Sequence, residues 1–419
     1  MDKSRIDLAV LHAAQVVKIT DDGNGPRRGQ RQRDLDIIED GAIAVRQGRI
    51  VAVGCTKDIV DQFDLTRAEV VEARGKVVIP GLVDSHTHPI FGGVRFEDYA
   101  QRLAGKSLTE VAAQGGGMGL TVAQTRAASD DELLESTLAA FNDMLKTGTT
   151  TAEAKSGYGL TVAQELRLLE LIRKAADKTP MNIVPTFLGA HAVPREIGNA
   201  DAYIDIVVND MLPKVISQGI AKFCDATCEN GWLTSEQSTR VLRRSAELGL
   251  PTRMHVDAFA ASGGWRAANS VKAVCADHLT FTPDTEIEEI GSSETIAVLL
   301  PAAELYYLSE RRANARKLIE TGVPVALATD FCSSIRVFSL LQILPLAAAW
   351  FRMTPEEVII AATLNGAYSV GMANSIGSLD PGKRADFVIV DVPNYRMLVF
   401  EMGVNRVDRV VVAGGKVVI

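Results

Sequence analysis

The sequence predicts a (β/α)8 barrel carrying a small β-sandwich assembled from the two ends of the chain. Three observations lead there. Both ends read as short β-branched runs separated by Gly, Asp and Asn turns. The long middle alternates strand and helix patterns about eight times, the arithmetic of a barrel. Several of those strands end in a histidine or an aspartate, so their side chains can converge on one face. A doubly wound open sheet is the competing architecture, but no G-x-G-x-x-G follows an early strand.

Taken in order, DLAVLHAAQVVKI (7–19), DGAIAVRQGRIVAVG (40–54) and ARGKVVIPG (73–81) supply strands at the start of the chain. RADFVIVD (384–391) and RVDRVVVAGGKVVI (406–419) supply them at the end. The sandwich is thus expected from residues 1–76 and 385–419, with the barrel over 77–384. Barrel strands are expected at 77–84, 149–154, 182–187, 221–224, 251–255, 273–278, 295–299 and 324–329. Helical patterns fall between them at 130–148, 161–178, 235–249 and 311–322, several closing on the Gly expected beyond a helix C-terminus. A last helix is expected over 354–371 with Thr354 as its cap. GLTVAQ occurs at 119–124 and again at 159–164, read as two loop-to-helix starts with Thr at the N-cap. The Gly-rich AAQGGGMGL (112–120) lacks the Lys-Ser/Thr of a phosphate cradle and reads as a flexible active-site loop.

Composition narrows the function. The chain has 419 residues, 47% hydrophobic and 23% charged, with a net charge of −8. That is ordinary globular usage, and the acidic balance argues against nucleic acid or an anionic membrane as the partner. The longest nearly apolar run, Val337–Phe351, contains Gln342 and Pro345 and falls short of the ~20 residues of a membrane span. Five irregularly spaced cysteines do not make a disulfide framework, so a reducing cytoplasm is expected. Cys224 and Cys228 read as ordinary buried thiols, and His12 as structural.

The chemistry rests on few residues. His86 and His88 sit in VDSHTHP past the first barrel strand, and i, i+2 side chains of a strand share a face. His255 ends the fifth strand, His278 the sixth and Asp330 the eighth. All five fall at the carboxyl ends of the strands, where a barrel builds its active site. Three imidazoles and a carboxylate suit one divalent metal, Zn2+ or Fe2+, with a position left for water. Such an ion lowers the pKa of a water to about 7 and polarises a carbonyl. Asp330 can serve as ligand and proton shuttle, and His278 can orient the water or the scissile carbonyl. A structural metal is the alternative, but such sites are usually Cys-rich and closed.

VIPGLVDSHTH (78–88), ALATDF (326–331) and GSLDPGKRADFVIVD (377–391) resemble the amidohydrolase superfamily. HTHPIFGGVR (86–95), KSGYGL (155–160), FLGAHAVP (187–194), ADHL (276–279) and TIAVLLP (295–301) resemble the imidazolonepropionases within it, through nearly the whole chain. The resemblance implies hydrolysis of a carbon–nitrogen bond in a five-membered cyclic amide, 4-imidazolone-5-propionate, to N-formimidoyl-L-glutamate in histidine degradation. It implies one metal on His86, His88, His255 and Asp330, with His278 beside the water. It implies a substrate pocket using Arg95, Tyr158 and His191, and a homodimer. Taken alone, Arg95 reads as a surface arginine, Tyr158 as a loop aromatic and His191 as a core histidine. As a set they fit a small anionic ring with a propionate arm, gripped by Arg95. Lys155 has a rival reading as a carbamylated lysine bridging two metals.

Two departures stand out. The family carries an acidic or amide residue three positions after the strand-five histidine, and here that position is Ala258. It follows the late Thr-Asp with an Asn-Pro-Gly-Ser-type loop, and here Asp330 is followed by Phe331, Cys332, Ser333, Ser334, Ile335 and Arg336. Lost hydrogen-bond partners cost discrimination. These replacements raise the alternative of a hydantoin- or thiohydantoin-propionate substrate. A ligand-binding relative without activity is the alternative from another class.

Overall fold

The computed structural model describes residues 3–412 and 416–417. Eight parallel strands follow one another around the barrel in chain order: β1 (Leu82–Asp84), β2 (Thr149–Lys155), β3 (Asn182–Ala190), β4 (Phe223–Cys228), β5 (Thr252–Val256), β6 (Cys275–His278), β7 (Ile296–Leu299) and β8 (Val325–Leu327). The seam between β8 and β1 closes just beyond the strand ends. Thr87 and Phe331 form a parallel bridge there, and Asp330 N donates to His86 O at 3.1 Å. Asp84 ties the same seam, accepting from Thr329 N (3.1 Å) and Thr329 Oγ1 (2.6 Å), and burial pushes its carboxyl up to about 7.

The strand expected over 77–84 is two strands divided at Gly81. Val77–Pro80 pairs with Phe387–Val390 and with Gln15 and Val16 in the sheet built from the chain ends, while β1 pairs with β2. The physical reason is crowding: a Cβ at Gly81 would lie 2.1 Å from the Thr150 side chain. Only a glycine lets the chain cross there from one sheet to the other.

The second sheet runs Lys416–Val417, Val407–Val412, Phe387–Val390, Val77–Pro80, Leu8–Val17, Ile37–Arg46, Arg49–Cys55, with Glu69–Glu72 also pairing to Leu8–Val17. Its strands alternate as a sheet with two packed faces should. Leu8 and Val10 enter one cluster with Ile43, Ile50, Val78, Phe387, Ile389 and Val411. Ala9 and Leu11 enter another with Ala42, Ala44 and Ile59. The sheet curls on itself, so that Ile50 N donates to Lys383 O (3.0 Å) and Ala385 N to Gly48 O (3.0 Å), at the segment that leads into Phe387.

Helices Asp130–Lys146 and Ser235–Glu247 open on capping boxes at Ser129 and Thr234 and end before Gly148 and Gly249, both at positive φ. Three expectations are corrected. Thr161 caps Val162–Ala176, but its counterpart Thr121 lies buried inside helix Met118–Ala127, where its hydroxyl meets Ser333 Oγ at 3.0 Å. The Gly-rich 112–120 is only a short turn, because the preceding helix runs to Ala113 and the next starts at Met118. The helix over 354–371 breaks at Thr363, whose backbone leaves the helical region, into Pro355–Ala362 and Leu364–Ser369. Thr354 caps the first part with Glu357 as its reciprocal partner. Among the described residues no helix is long and apolar enough to cross a membrane.

Candidate active site

The carboxyl ends of the strands bring His86, His88, His255 and Asp330 to one point, all buried. His88 Nε2 lies 3.2 Å from His86 Nε2 and 3.3 Å from His255 Nε2. Asp330 Oδ1 lies 3.5 Å from His86 Nε2 and 3.6 Å from His88 Nε2. Ligand atoms bound at 2.0–2.2 Å around a tetrahedral ion stand about 3.3–3.6 Å apart. Four of the six donor pairs stand at about that spacing, so the donor set fits one divalent metal ion in chemistry and, over those pairs, in spacing. Burial holds His86, His88 and His278 well below their ordinary pKa, which leaves them neutral, the form that ligates. Asp330 Oδ2 and His88 Nδ1 are buried without a hydrogen-bond partner.

His278 stands against this set. Its ring centroid is 5.4 Å from those of His86 and His255, and its ligand atom shares a cluster with His86 and Asp330. It adopts a positive φ of 85°, a conformation a histidine holds only when its surroundings impose it.

The outer sides of the histidines are held by carboxylates. His86 Nδ1 donates to Asp277 Oδ2 at 2.7 Å. His255 Nδ1 lies 3.0 Å from Asp225 Oδ2, at an angle too bent for a full hydrogen bond. Lys155 Nζ contacts Asp225 Oδ2 (2.7 Å) and Glu153 Oε1 (2.8 Å), and Arg253 Nη2 donates to Asp277 Oδ2 at 3.2 Å. Burial opposes the Lys155 charge, but Asp225 and Glu153 outweigh it and hold the ammonium above its ordinary pKa. Carbamylation requires a neutral amine, so this environment argues against the bridging-lysine reading.

Two of the expected pocket residues, His191 and Tyr158, cluster around His88. His191 stacks on it at 5.0 Å and 17°, and Tyr158 lies 5.8 Å from it and 5.3 Å from His191. His191 Nδ1 donates to Gly157 O at 3.0 Å, which leaves Nε2 as an acceptor, and burial lowers its pKa to about 3. Arg95 is fixed from the loop after Asp330: Nε donates to Ser333 Oγ (3.2 Å), Nη2 to Ser334 Oγ (2.7 Å), and its backbone N to Ser333 O (2.8 Å).

A family model described as "Amidohydrolase family" matches residues 77–418. The chain belongs to the amidohydrolase family. Curated relatives cover nearly all of it. The imidazolonepropionase of Alkaliphilus metalliredigens is 41% identical over 416 residues, 99% of this chain and 98% of the relative. That of Geobacillus kaustophilus is 41% identical over 417 residues, 98% of each. Among solved structures, an adenosine deaminase from Xanthomonas campestris with bound zinc superposes with a TM-score of 0.71 at 21% identity, covering 99% of this chain and 93% of that one. E. coli guanine deaminase superposes with a TM-score of 0.74 at 19% identity, covering 98% and 99%. These two likenesses concern the fold. The relatives make this amidohydrolase a carbon–nitrogen hydrolase and do not favour a binding-only relative.

The two departures have structural counterparts in this amidohydrolase. The altered loop after Asp330 supplies the hydroxyls that hold Arg95. Around Ala258, Glu229 accepts from the backbone N of Ala258 (2.6 Å), Phe259 (3.0 Å) and Ala260 (3.0 Å), so a carboxylate from beyond β4 fixes this stretch of backbone. Asp257 points away, into Ser262 N, Gly264 N and Thr282 Oγ1. Phe259 also packs against Trp232 (6.1 Å) and Tyr307 (4.9 Å), an aromatic wall beside His191. Sequence reasoning missed Glu153, Asp225, Arg253 and Asp277. Their signal was a charged residue inside a short strand that is buried throughout, as Asp225 in FCDATC and Glu153 in TTTAEAK.

Proposed function

We propose that this amidohydrolase opens 4-imidazolone-5-propionate to N-formimidoyl-L-glutamate, with one Zn2+ or Fe2+ on His86, His88, His255 and Asp330. The observation that carries this reading is the meeting of three buried imidazoles and one buried carboxylate, with four donor pairs 3.2–3.6 Å apart, together with an arginine whose orientation is fixed by Ser333 and Ser334. The full-length relatives bearing that name support the substrate.

A divalent ion bound there supplies a Lewis acid and a water of lowered pKa. Arg95 binds the propionate arm through the N–H groups that the serines leave free, and Tyr158 donates to the same carboxylate. His191, with Nδ1 committed to Gly157 O, accepts from a ring N–H through Nε2. The neutral His278 imidazole orients the ring carbonyl under attack. Asp330 turns Oδ1 to the ligand set and keeps Oδ2 unpartnered. Oδ2 takes the proton released by the attacking water and delivers it to the departing ring nitrogen. Addition to the carbonyl carbon and loss of that nitrogen yield a carboxylate and the formimidoyl arm. A cytoplasmic homodimer completes the reading; five free thiols suit a reducing compartment.

The test is a steady-state assay on 4-imidazolone-5-propionate beside its 2-oxo and 2-thioxo analogues. The highest kcat/KM is expected for the imidazolone. A higher value for an analogue overturns the substrate assignment, and no activity on any cyclic amide overturns the enzyme reading.

A further inference from the structure

Beneath the four ligand atoms lies a layer of buried charge that the proposed reaction does not use. Lys155 ends β2 with no exposed surface. Its Nζ is 2.7 Å from Asp225 Oδ2 and 3.7 Å from Asp277 Oδ2. Those two oxygens are the ones that face Nδ1 of His255 and His86. One ammonium thus hydrogen-bonds the carboxylate facing His255 and forms a longer ion pair with the one behind His86, to which Arg253 also donates. The other oxygens, Asp225 Oδ1 and Asp277 Oδ1, are buried with no hydrogen-bond partner. The Oδ2 contacts are therefore what sets the rotation of each carboxylate, and through it the aim of each ring.

The same place has the composition of a cation site. Asp225, His255 and Asp277 offer ligand atoms within 4.8 Å of one another, all buried. Three neighbouring buried carboxylates, counting Glu153, demand positive charge. Lys155 and Arg253 supply it from the chain itself.

We infer that Lys155 is a positioning residue: its ammonium is a built-in cation that aims His86 and His255 at the metal and closes the Asp225–His255–Asp277 cluster to a second ion. The inference rests on the proposed one-metal reading of the four ligands. Lys155 does not reach the metal or the substrate; it acts through Asp225 and Asp277.

The experiment is Zn2+ titration of metal-free protein against a chromophoric chelator, with stoichiometry and Kd read separately from activity. Lys155→Met strands three carboxylates and is expected to fold poorly, so Glu153→Gln/Lys155→Met is measured beside it, since that pair removes one charge of each sign. The wild type is expected to bind one equivalent. The double variant, with wild-type circular dichroism, is expected to bind about 10–100-fold more weakly, the usual effect of disturbing a ligand's outer partner. A folded double variant with wild-type Kd and a changed melting temperature overturns the inference and leaves Lys155 a purely structural ion-pair partner. Two equivalents in the wild type overturn the closure of the second cluster. No Zn2+ binding by the wild type overturns the one-metal reading, and this inference with it.

Discussion

The curled sheet from the chain ends encloses Val10, Ile43, Ile50, Val78, Phe387 and Ile389, whereas the upper barrel encloses Glu153, Lys155, Asp225, Arg253 and Asp277. Apolar packing of the first kind is non-directional and tolerates changes that keep volume. Buried charges of the second kind contribute less net stability, because desolvation offsets their attraction, yet each fixes the geometry of its partner. The difference separates a region packed for stability from one whose buried ion pairs stand behind His86 and His255.

The largest effect that sharpens this comparison comes from the metal. Dialysis against a chelator is expected to abolish turnover, with recovery on adding Zn2+ or Fe2+; undiminished activity in metal-free protein removes the basis of the site. Next, His278→Asn is expected to lower kcat by about 10²–10⁴-fold while metal stoichiometry stays at that of the wild type. Loss of the ion in this variant makes His278 a ligand instead. Third, Arg253→Met leaves Asp277 and Glu153 short of a cation and is expected to destabilise the fold by about 3–5 kcal/mol in denaturant unfolding. In the other region, Ile389→Val is expected to cost only about 0.5–1.5 kcal/mol and to leave kcat unchanged. Equal costs for the two substitutions erase the contrast.

The remaining effect is a pH dependence. Burial raises the Glu304 carboxyl from 4.5 to about 7. The folded state then holds a proton that the unfolded state has released, so stability falls as pH rises from about 4.5 to about 7. Glu304→Gln removes this term, and its melting temperature is expected to gain on the wild type between pH 5 and pH 8. Parallel curves for the two proteins exclude the effect.

Much of the fold was legible because strand and helix periods are local. Each barrel strand lies within a few residues of its expected position, and the five residues at strand ends meet as the topology requires. The missed features depend on distant partners. Gly81 divides a continuous apolar run only because Thr150 crowds it. Lys155 and Asp225 are 70 residues apart, and Arg95 finds Ser333 238 residues away. No local pattern encodes such pairings; an isolated charge inside an apolar strand records only that some partner must exist.

The barrel seam has a consequence for folding. His86 lies just past the first barrel strand and Asp330 just past the last, and Thr87 and Phe331 bridge them. In the proposed one-metal reading, an ion held by His86 and Asp330 would be a clasp across the junction that chain order leaves until the end. Closing the ring and completing the ligand set are then a single event, so a chain that stalls before β8 has neither a finished barrel nor a place for the ion.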